Sequence, residues 1–212
     1  MKIKVSDKIG TVSAEITAPE KPIAILVLAH GAGAGMMHPF MKQLSSELSK
    51  LHVATLRFNF PFVENKKGRP DLPAVAHATI EAAILAAQKK FPSIPLFISG
   101  KSFGGRMSSQ LLASKEIEAV KGIAFYGFPL HQPGNPGMER AEHLKKVKVP
   151  MLFLQGTRDA LADFTLIQNV VNGLKKAKLI SFEGADHSFK APKQNLIPAL
   201  ATATTEWIHN KL

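Results

Sequence analysis

The chain contains no cysteine. That excludes a disulfide framework, a thiolate metal site and a cysteine nucleophile, and it suits a cytoplasmic protein. Trp207 and Tyr126 are the only residues of their types, so no ladder of stacking aromatics stands between the basic residues. Long apolar runs are also missing. The longest, Ile23–Ala29, falls far short of the roughly 20 residues needed to cross a bilayer, so no membrane partner is expected. The opening stretch MKIKVSDKIG is charged and has no apolar segment of the kind a signal peptide carries. Acidic residues are the minority, 16 against 27 Lys and Arg, and the formal charge of +11 raises the possibility of a nucleic-acid partner. The positions of the lysines argue against it. Lys89-Lys90, Lys121, Lys145-Lys146 with Lys148, and Lys175-Lys176 with Lys178 each stand just before an expected strand. Most would close a helix and complement the negative end of its dipole. The reading is a solvated basic face with no nucleic-acid partner.

What is present is an alternation of apolar runs and helical stretches. The 212 residues, 45% of them apolar, suffice for one domain over 1–212 with a full core. Ile3–Val5 and Thr11–Thr17 read as strands joined by a turn. Ile23–Ala29 reads as a strand buried on both faces, and Pro39–Leu51 has helical periodicity. Strand Val53–Phe58, helix Val75–Lys90, strand Leu96–Ser99, a helix over Arg106–Ser114 and strands Val120–Tyr126 and Met151–Gln155 follow. A helix near Asp163–Leu174, strand Leu179–Glu183 and a helix near Asn195–Lys211 complete the pattern. Such alternation predicts an α/β fold: a mostly parallel sheet with helices on both faces, three layers, and little or no lid. Function in such sheets collects beyond the carboxyl ends of the strands.

The glycine-rich turn LFISGKSFGG at 96–105 admits two readings. Gly100-Lys101-Ser102 is how a phosphate-binding P-loop ends, but that loop needs a glycine five residues earlier. Pro95 stands there, without an N–H and with a fixed φ, and Leu96–Ile98 reads as buried strand. The same residues form G-x-S-x-G, a nucleophile-bearing turn between a strand and a helix.

Other strands end on matching residues. His30-Gly31-Ala32-Gly33-Ala34-Gly35 follows the first buried strand, Gly156-Thr157-Arg158-Asp159 a later one, and Gly184-Ala185-Asp186-His187 the last. A serine hydroxyl is a poor nucleophile until a base takes its proton. His187 is the candidate base, because an imidazole titrates near working pH. Asp159 would fix its tautomer and stabilise the imidazolium. The chain order Ser102, Asp159, His187 matches that arrangement. For the oxyanion, one N–H would come from Phe103 and the other from Ala32, with Gly33 competing. A lost donor of this type costs about 3–4 kcal/mol in the barrier. Each residue has a plainer alternative. Ser102 could cap the following helix, His187 could be an ordinary loop histidine, and Asp163 competes with Asp159. Asp186 reads as structural, and His30 as a positioning residue. The run Gly31–Gly35 lacks the dinucleotide-binding spacing, and His30, His38, His52 and His77 show no metal-ligand spacing with carboxylates. Neither a cofactor nor a metal is expected.

Over nearly its whole length the chain resembles the α/β-hydrolase superfamily. More narrowly it is similar to a little-characterised branch whose relatives include a testis-expressed protein and a chromatin acetyltransferase complex subunit. The shared stretches are HGAGAGMMHPFM at 30–41, RFNFP at 57–61, GKSFGGRM at 100–107, GFPLHQPGNP at 127–136, AEHL at 141–144, QGTRD at 155–159 and GADHSF at 184–189. The resemblance implies Ser102, Asp159 and His187 as a triad and leaves the substrate open. Phe103 departs from the methionine of that branch, which matters little where only the backbone N–H is used.

The expected activity is serine hydrolysis through an acyl-enzyme, on small carboxylic esters or related acyl compounds. Arg57, Asn59, Phe60 and His131 are candidates to face the substrate or to support its pocket, with Phe62 and Arg106 beside them; Arg57 and Arg106 are equally open to a structural ion-pair role, and Leu130–His143 could border the pocket. The competing reading is a non-catalytic interaction protein on the same scaffold.

Overall fold

The computed structural model describes residues 1–192 and 194–212. Strands β1 (Lys2–Ser6) and β2 (Gly10–Thr17) form an antiparallel hairpin with Ile3 opposite Val12. Gly10, at φ +89°, supplies the left-handed backbone that its turn requires. Then come β3 (Ala24–Ala29), α1 (Pro39–Lys50), β4 (Val53–Phe58), the single-turn α2 (Pro61–Glu64) and α3 (Pro73–Lys90). They lead to β5 (Leu96–Lys101), α4 (Phe103–Ser114), β6 (Val120–Tyr126), a 3-10 helix (Glu139–Lys146) and β7 (Met151–Gly156). The chain closes with α5 (Phe164–Asn172), β8 (Ala177–Phe182), the small hairpin β9 (Lys190–Ala191) and β10 (Gln194–Asn195), and α6 (Ile197–His209).

Eight strands form one sheet in the order β1-β2-β4-β3-β5-β6-β7-β8. From β4 to β8 the neighbours are parallel, and β2 pairs antiparallel with β4. Alternation of side chains explains why β3 reads as an unbroken apolar run. Ile25, Val27 and Ala29 pack toward α3 and α4, whereas Ala24, Leu26 and Leu28 pack toward α1 and α6. Helix α1 meets that layer with Met41, Leu44 and Leu48, and α6 with Leu200 and Trp207. Trp207 meets Phe97 edge-on at 5.6 Å between ring centroids. Helices thus cover both faces, and among the described residues no lid lies over the sheet. No described helix is long and apolar enough to cross a membrane.

The order in which strands are added reverses at β3. It runs from β3 outward to β4 on one side, then resumes at β5 on the other. The loops after β3 and β5 therefore splay apart at the switch point, where such sheets hold their ligands.

Several expected boundaries shift. β5 runs two residues further than read, to Lys101, and α4 begins at Phe103, so a single residue, Ser102, turns the chain from strand to helix. β8 starts two residues earlier than expected, and Lys121 and Lys178 lie within strands as exposed residues, not ahead of them. Lys89, Lys90, Lys145 and Lys146 do occupy last helical turns.

Candidate active site

Ser102 sits at φ 50°, ψ −115°, a backbone conformation rare for a residue with a side chain. The turn is possible because its neighbours are glycines. A Cβ on Gly100 would collide with the backbone of Gly104 and Gly105, and one on Gly104 would lie 2.6 Å from the carbonyl oxygens of Ala29 and His30. Ser102 occupies the N-cap position of α4, but its hydroxyl makes no capping bond. The Oγ lies instead 2.8 Å from Nε2 of His187.

His187 stands on the loop between β8 and β9. Gly184 and Phe189 both adopt positive φ there. Asp186 Oδ1 accepts from the N–H groups of Ser188 and Lys190 at 2.8 and 2.9 Å, which makes Asp186 the brace of this loop. The Gly184 N–H donates to Thr157 Oγ1 at 2.9 Å, tying the loop to the end of β7. On the far side of the imidazole, Nδ1 lies 2.7 Å from Asp159 Oδ2.

Asp159 is buried with three donors. Besides His187, Gln155 Nε2 donates to Oδ2 at 2.6 Å and the Leu161 N–H to Oδ1 at 2.8 Å. These bonds offset the cost of burying a carboxylate. They also settle the direction of the chain of bonds. A carboxylate so placed accepts from Nδ1–H, so Nε2 is left as the acceptor for the serine proton. Asp163, the competing acid, points elsewhere: its Oδ1 caps α5 by accepting from the Leu166 N–H at 3.0 Å.

A cavity of about 370 Å³ opens over Ser102. The glycine loop, Gly31 through Ala34, forms one wall, Phe40 and Met41 another, and Leu161 and His187 close it. Ala32 and Gly33 both line this space. Among the described residues, the N–H groups of Phe103, Ala32 and Gly33 have no protein acceptor, so each is free to donate to a bound oxygen. Phe103 itself is buried, its ring edge-on to Phe60 at 5.3 Å and to Phe62 at 6.0 Å.

The four side chains expected to face the substrate do not line this cavity; all brace its walls from behind. Arg57 is buried in an ion pair with Glu15, and its Nη1 donates to the Met36 carbonyl at 2.9 Å. Asn59 Oδ1 accepts from the Met36 N–H at 2.9 Å, while its amide donates to Glu64. Both backbone groups of Met36 are thereby held, and the glycine loop is anchored at its far end. Phe60 is wholly buried, and its N–H donates to His30 Nε2 at 3.0 Å. His131 reaches the acid loop: its Nε2 accepts from the Asp163 N–H at 2.7 Å, with Nδ1 bonded to the Gln132 carbonyl. The physical reason is shared. Arg57, Phe60 and His131 are buried, and their polar groups take partners from other parts of the chain. Nor does Leu130–His143 line the cavity. It borders a separate groove of about 750 Å³ against α5, through Pro136, Met138 and Ala141.

Two site residues carry little sequence signal. Gln155 bridges the site, accepting from the Phe128 N–H at 2.9 Å while donating to Asp159. Only its polarity inside an otherwise apolar strand marks it. Lys101 is the other, and it donates to the His187 carbonyl. His30 sits beneath the glycine loop with Nδ1 2.7 Å from the Gly31 carbonyl, and burial pulls its pKa down to about 4, so it is a neutral wedge. Among the described residues, no three His, Asp or Glu side chains gather as a metal site.

Residues 22–206 match the family described as an alpha/beta hydrolase domain. Among solved structures, a dienelactone hydrolase from Anabaena variabilis superposes with a TM-score of 0.79 at 18% identity, covering 100% of this chain and 96% of that one. An α/β serine hydrolase without lid from Xanthomonas campestris gives 0.78 at 18%, covering 100% and 94%. Est1E from Butyrivibrio proteoclasticus, with ferulic acid bound, gives 0.78 at 14%, covering 100% and 98%. At these identities the likeness is one of fold. A curated protein of Mycobacterium tuberculosis, named as a candidate phosphoribosyl transferase, is 27% identical over 207 residues. Those residues are 95% of this chain and 44% of that protein, so the chain spans less than half the length of this relative.

Proposed function

The chain belongs to the alpha/beta hydrolase domain family, and on that premise we propose that it is a serine hydrolase acting on small carboxylic esters or related acyl compounds. The observation that carries this reading is the unbroken line from Ser102 Oγ through His187 to Asp159, with contacts of 2.8 and 2.7 Å. The fold alone would not support it, since one scaffold hosts many activities.

In the proposed reaction Ser102 Oγ attacks the acyl carbon while its proton passes to His187 Nε2. Asp159 keeps the imidazole in the accepting tautomer and stabilises the imidazolium. The N–H groups of Phe103 and of Ala32 or Gly33 donate to the oxyanion. His187 then returns the proton to the departing alkoxide, leaving Ser102 acylated. Water, deprotonated by the same imidazole, releases the acid and restores the hydroxyl. Two observations favour a short acyl group: the cavity is about 370 Å³, and its walls beside the serine are mostly Gly, Ala, Phe, Met and Leu. Esters and thioesters fit this chemistry alike.

A series of p-nitrophenyl esters with two to twelve acyl carbons tests the reading. Turnover greatest for the short members, with a burst of one p-nitrophenol per chain, is expected. Turnover by the folded protein that is no greater than that of Ser102→Ala would overturn it and favour a binding role for the scaffold.

A further inference from the structure

In G-x-S-x-G turns the residue before the serine is a variable position, and here it is Lys101. It is the last residue of β5. Its side chain crosses to the loop of His187, where Nζ donates to the His187 carbonyl at 2.6 Å. The ammonium lies 5.7 Å from the centroid of the Phe189 ring. Gly127 closes the other side, since a Cβ there would stand 3.2 Å from Nζ and 3.4 Å from the His187 ring. Among the described residues, this bond and the Ser102–His187 contact are the two hydrogen bonds joining the turn to that loop.

We propose that Lys101 is a positioning residue: its ammonium pins the main chain of His187 where the imidazole reaches both Ser102 and Asp159. The proposal rests on the serine-hydrolase reading of the site. Burying an ammonium is costly, and an apolar side chain would serve the turn equally well. A charge-assisted bond to a carbonyl is short and strong, and it fixes a loop that otherwise hangs from the β7 side through Thr157 and Arg158. The groups around the ammonium are Asp159 from the loop after β7, Asp186 and His187 from the loop after β8, Ser102 on its own turn, and His38 across the cavity at the start of α1. Burial lowers the Lys101 pKa to about 8, against the opposing pull of Asp159 and Asp186. The pin therefore loses its charge within an accessible pH range.

The test compares rates of fluorophosphonate labelling from pH 6 to 10, with thermal melts, for wild type, Lys101→Met and Lys101→Arg. Wild-type labelling is expected to slow as pH rises through about 8, where the ammonium neutralises. Lys101→Met should label about 10- to 100-fold more slowly at pH 7 and lack that decline. Lys101→Arg, charged throughout, should recover part of the rate and also lack it. A Lys101→Met protein with the wild-type rate and profile overturns the proposal. So does a loss of melting temperature and rate in both variants that leaves the decline near pH 8 in place, which marks a structural role only. If the Met variant fails to fold, the wild-type and Arg profiles still decide. A wild type unlabelled at every pH instead refutes the hydrolase reading itself.

Discussion

Two serine–histidine pairs lie along α4, one at its N-terminus and one at its middle. Ser102 Oγ is 2.8 Å from His187 Nε2, and Ser109 Oγ is 2.7 Å from His143 Nε2. By distance they cannot be told apart, yet their surroundings differ. Ser109, inside the helix, also lies 3.0 Å from the Arg106 carbonyl, a second acceptor for its proton. Ser102 has no other acceptor, and Asp159 claims the Nδ1 proton of His187, so Ser102 donates. Among the described residues no carboxylate bonds His143. Burial and then the Arg106 charge hold its pKa down to about 4, with the Arg140 backbone carbonyl pulling the other way. The lesson is that reactivity depends on which atom holds the proton, what orients the histidine, and whether a cavity opens over the serine.

The largest expected difference is between Ser102→Ala and Ser109→Ala. The first should abolish ester turnover and probe labelling altogether. The second should leave both within about twofold, since Ser109 is buried and does not line the cavity over Ser102. Equal losses in labelling assays would break the distinction. Next, His187→Ala should lower turnover by on the order of 10³-fold or more, measured as kcat on a short ester, whereas His143→Ala should change kcat by less than about threefold. The orienting groups come third. Asp159→Asn removes the carboxylate that sets the tautomer and should cost on the order of 10²- to 10⁴-fold in kcat. Gln155→Leu, which leaves Asp159 one donor short, should cost about tenfold or less.

A further effect is on stability, not on turnover. His30 has its pKa lowered to about 4 by burial, against 6.5 for an exposed imidazole. Below pH 6.5 the unfolded chain therefore takes up a proton that the folded chain refuses. Stability is full above pH 6.5, declines as pH falls, and levels off below about 4. By pH 5 the loss from His30 is about 2 kcal/mol. His143, less buried, adds to it in the same direction. Urea midpoints between pH 7 and 5 should fall, and fall less steeply in His143→Asn. Midpoints that stay level or rise on acidification would contradict these burials.

The strands that lead into the glycine loop, Ser102 and Asp159 were legible because β3, β5 and β7 are short, buried, mainly apolar runs. Val53–Phe58 and Val120–Tyr126 coincide with the apolar runs that announce them. The residues of the proposed triad stood out because each lies within a few residues of a strand's carboxyl end. The single-turn helix Pro61–Glu64 did not stand out, since one turn carries no periodicity. For the supporting residues the sequence left two roles open. Whether Arg57, Asn59 and His131 face the substrate or brace its pocket depends on partners distant in the chain. Their partners, Glu15, Met36 and Asp163, come from other segments. Lys101 and Gln155 were overlooked for the same reason, as their roles exist only once β5, β7 and the loop after β8 are side by side.

The most direct test is to treat the folded wild-type protein with a fluorophosphonate at pH 7, weigh the intact product and map the modified peptide. A single adduct on Ser102, with Ser109 unmodified, and no adduct in His187→Ala is the predicted result. An unmodified wild type, or an adduct that persists on another serine when Ser102 is alanine, would contradict the assignment of Ser102 as an activated nucleophile.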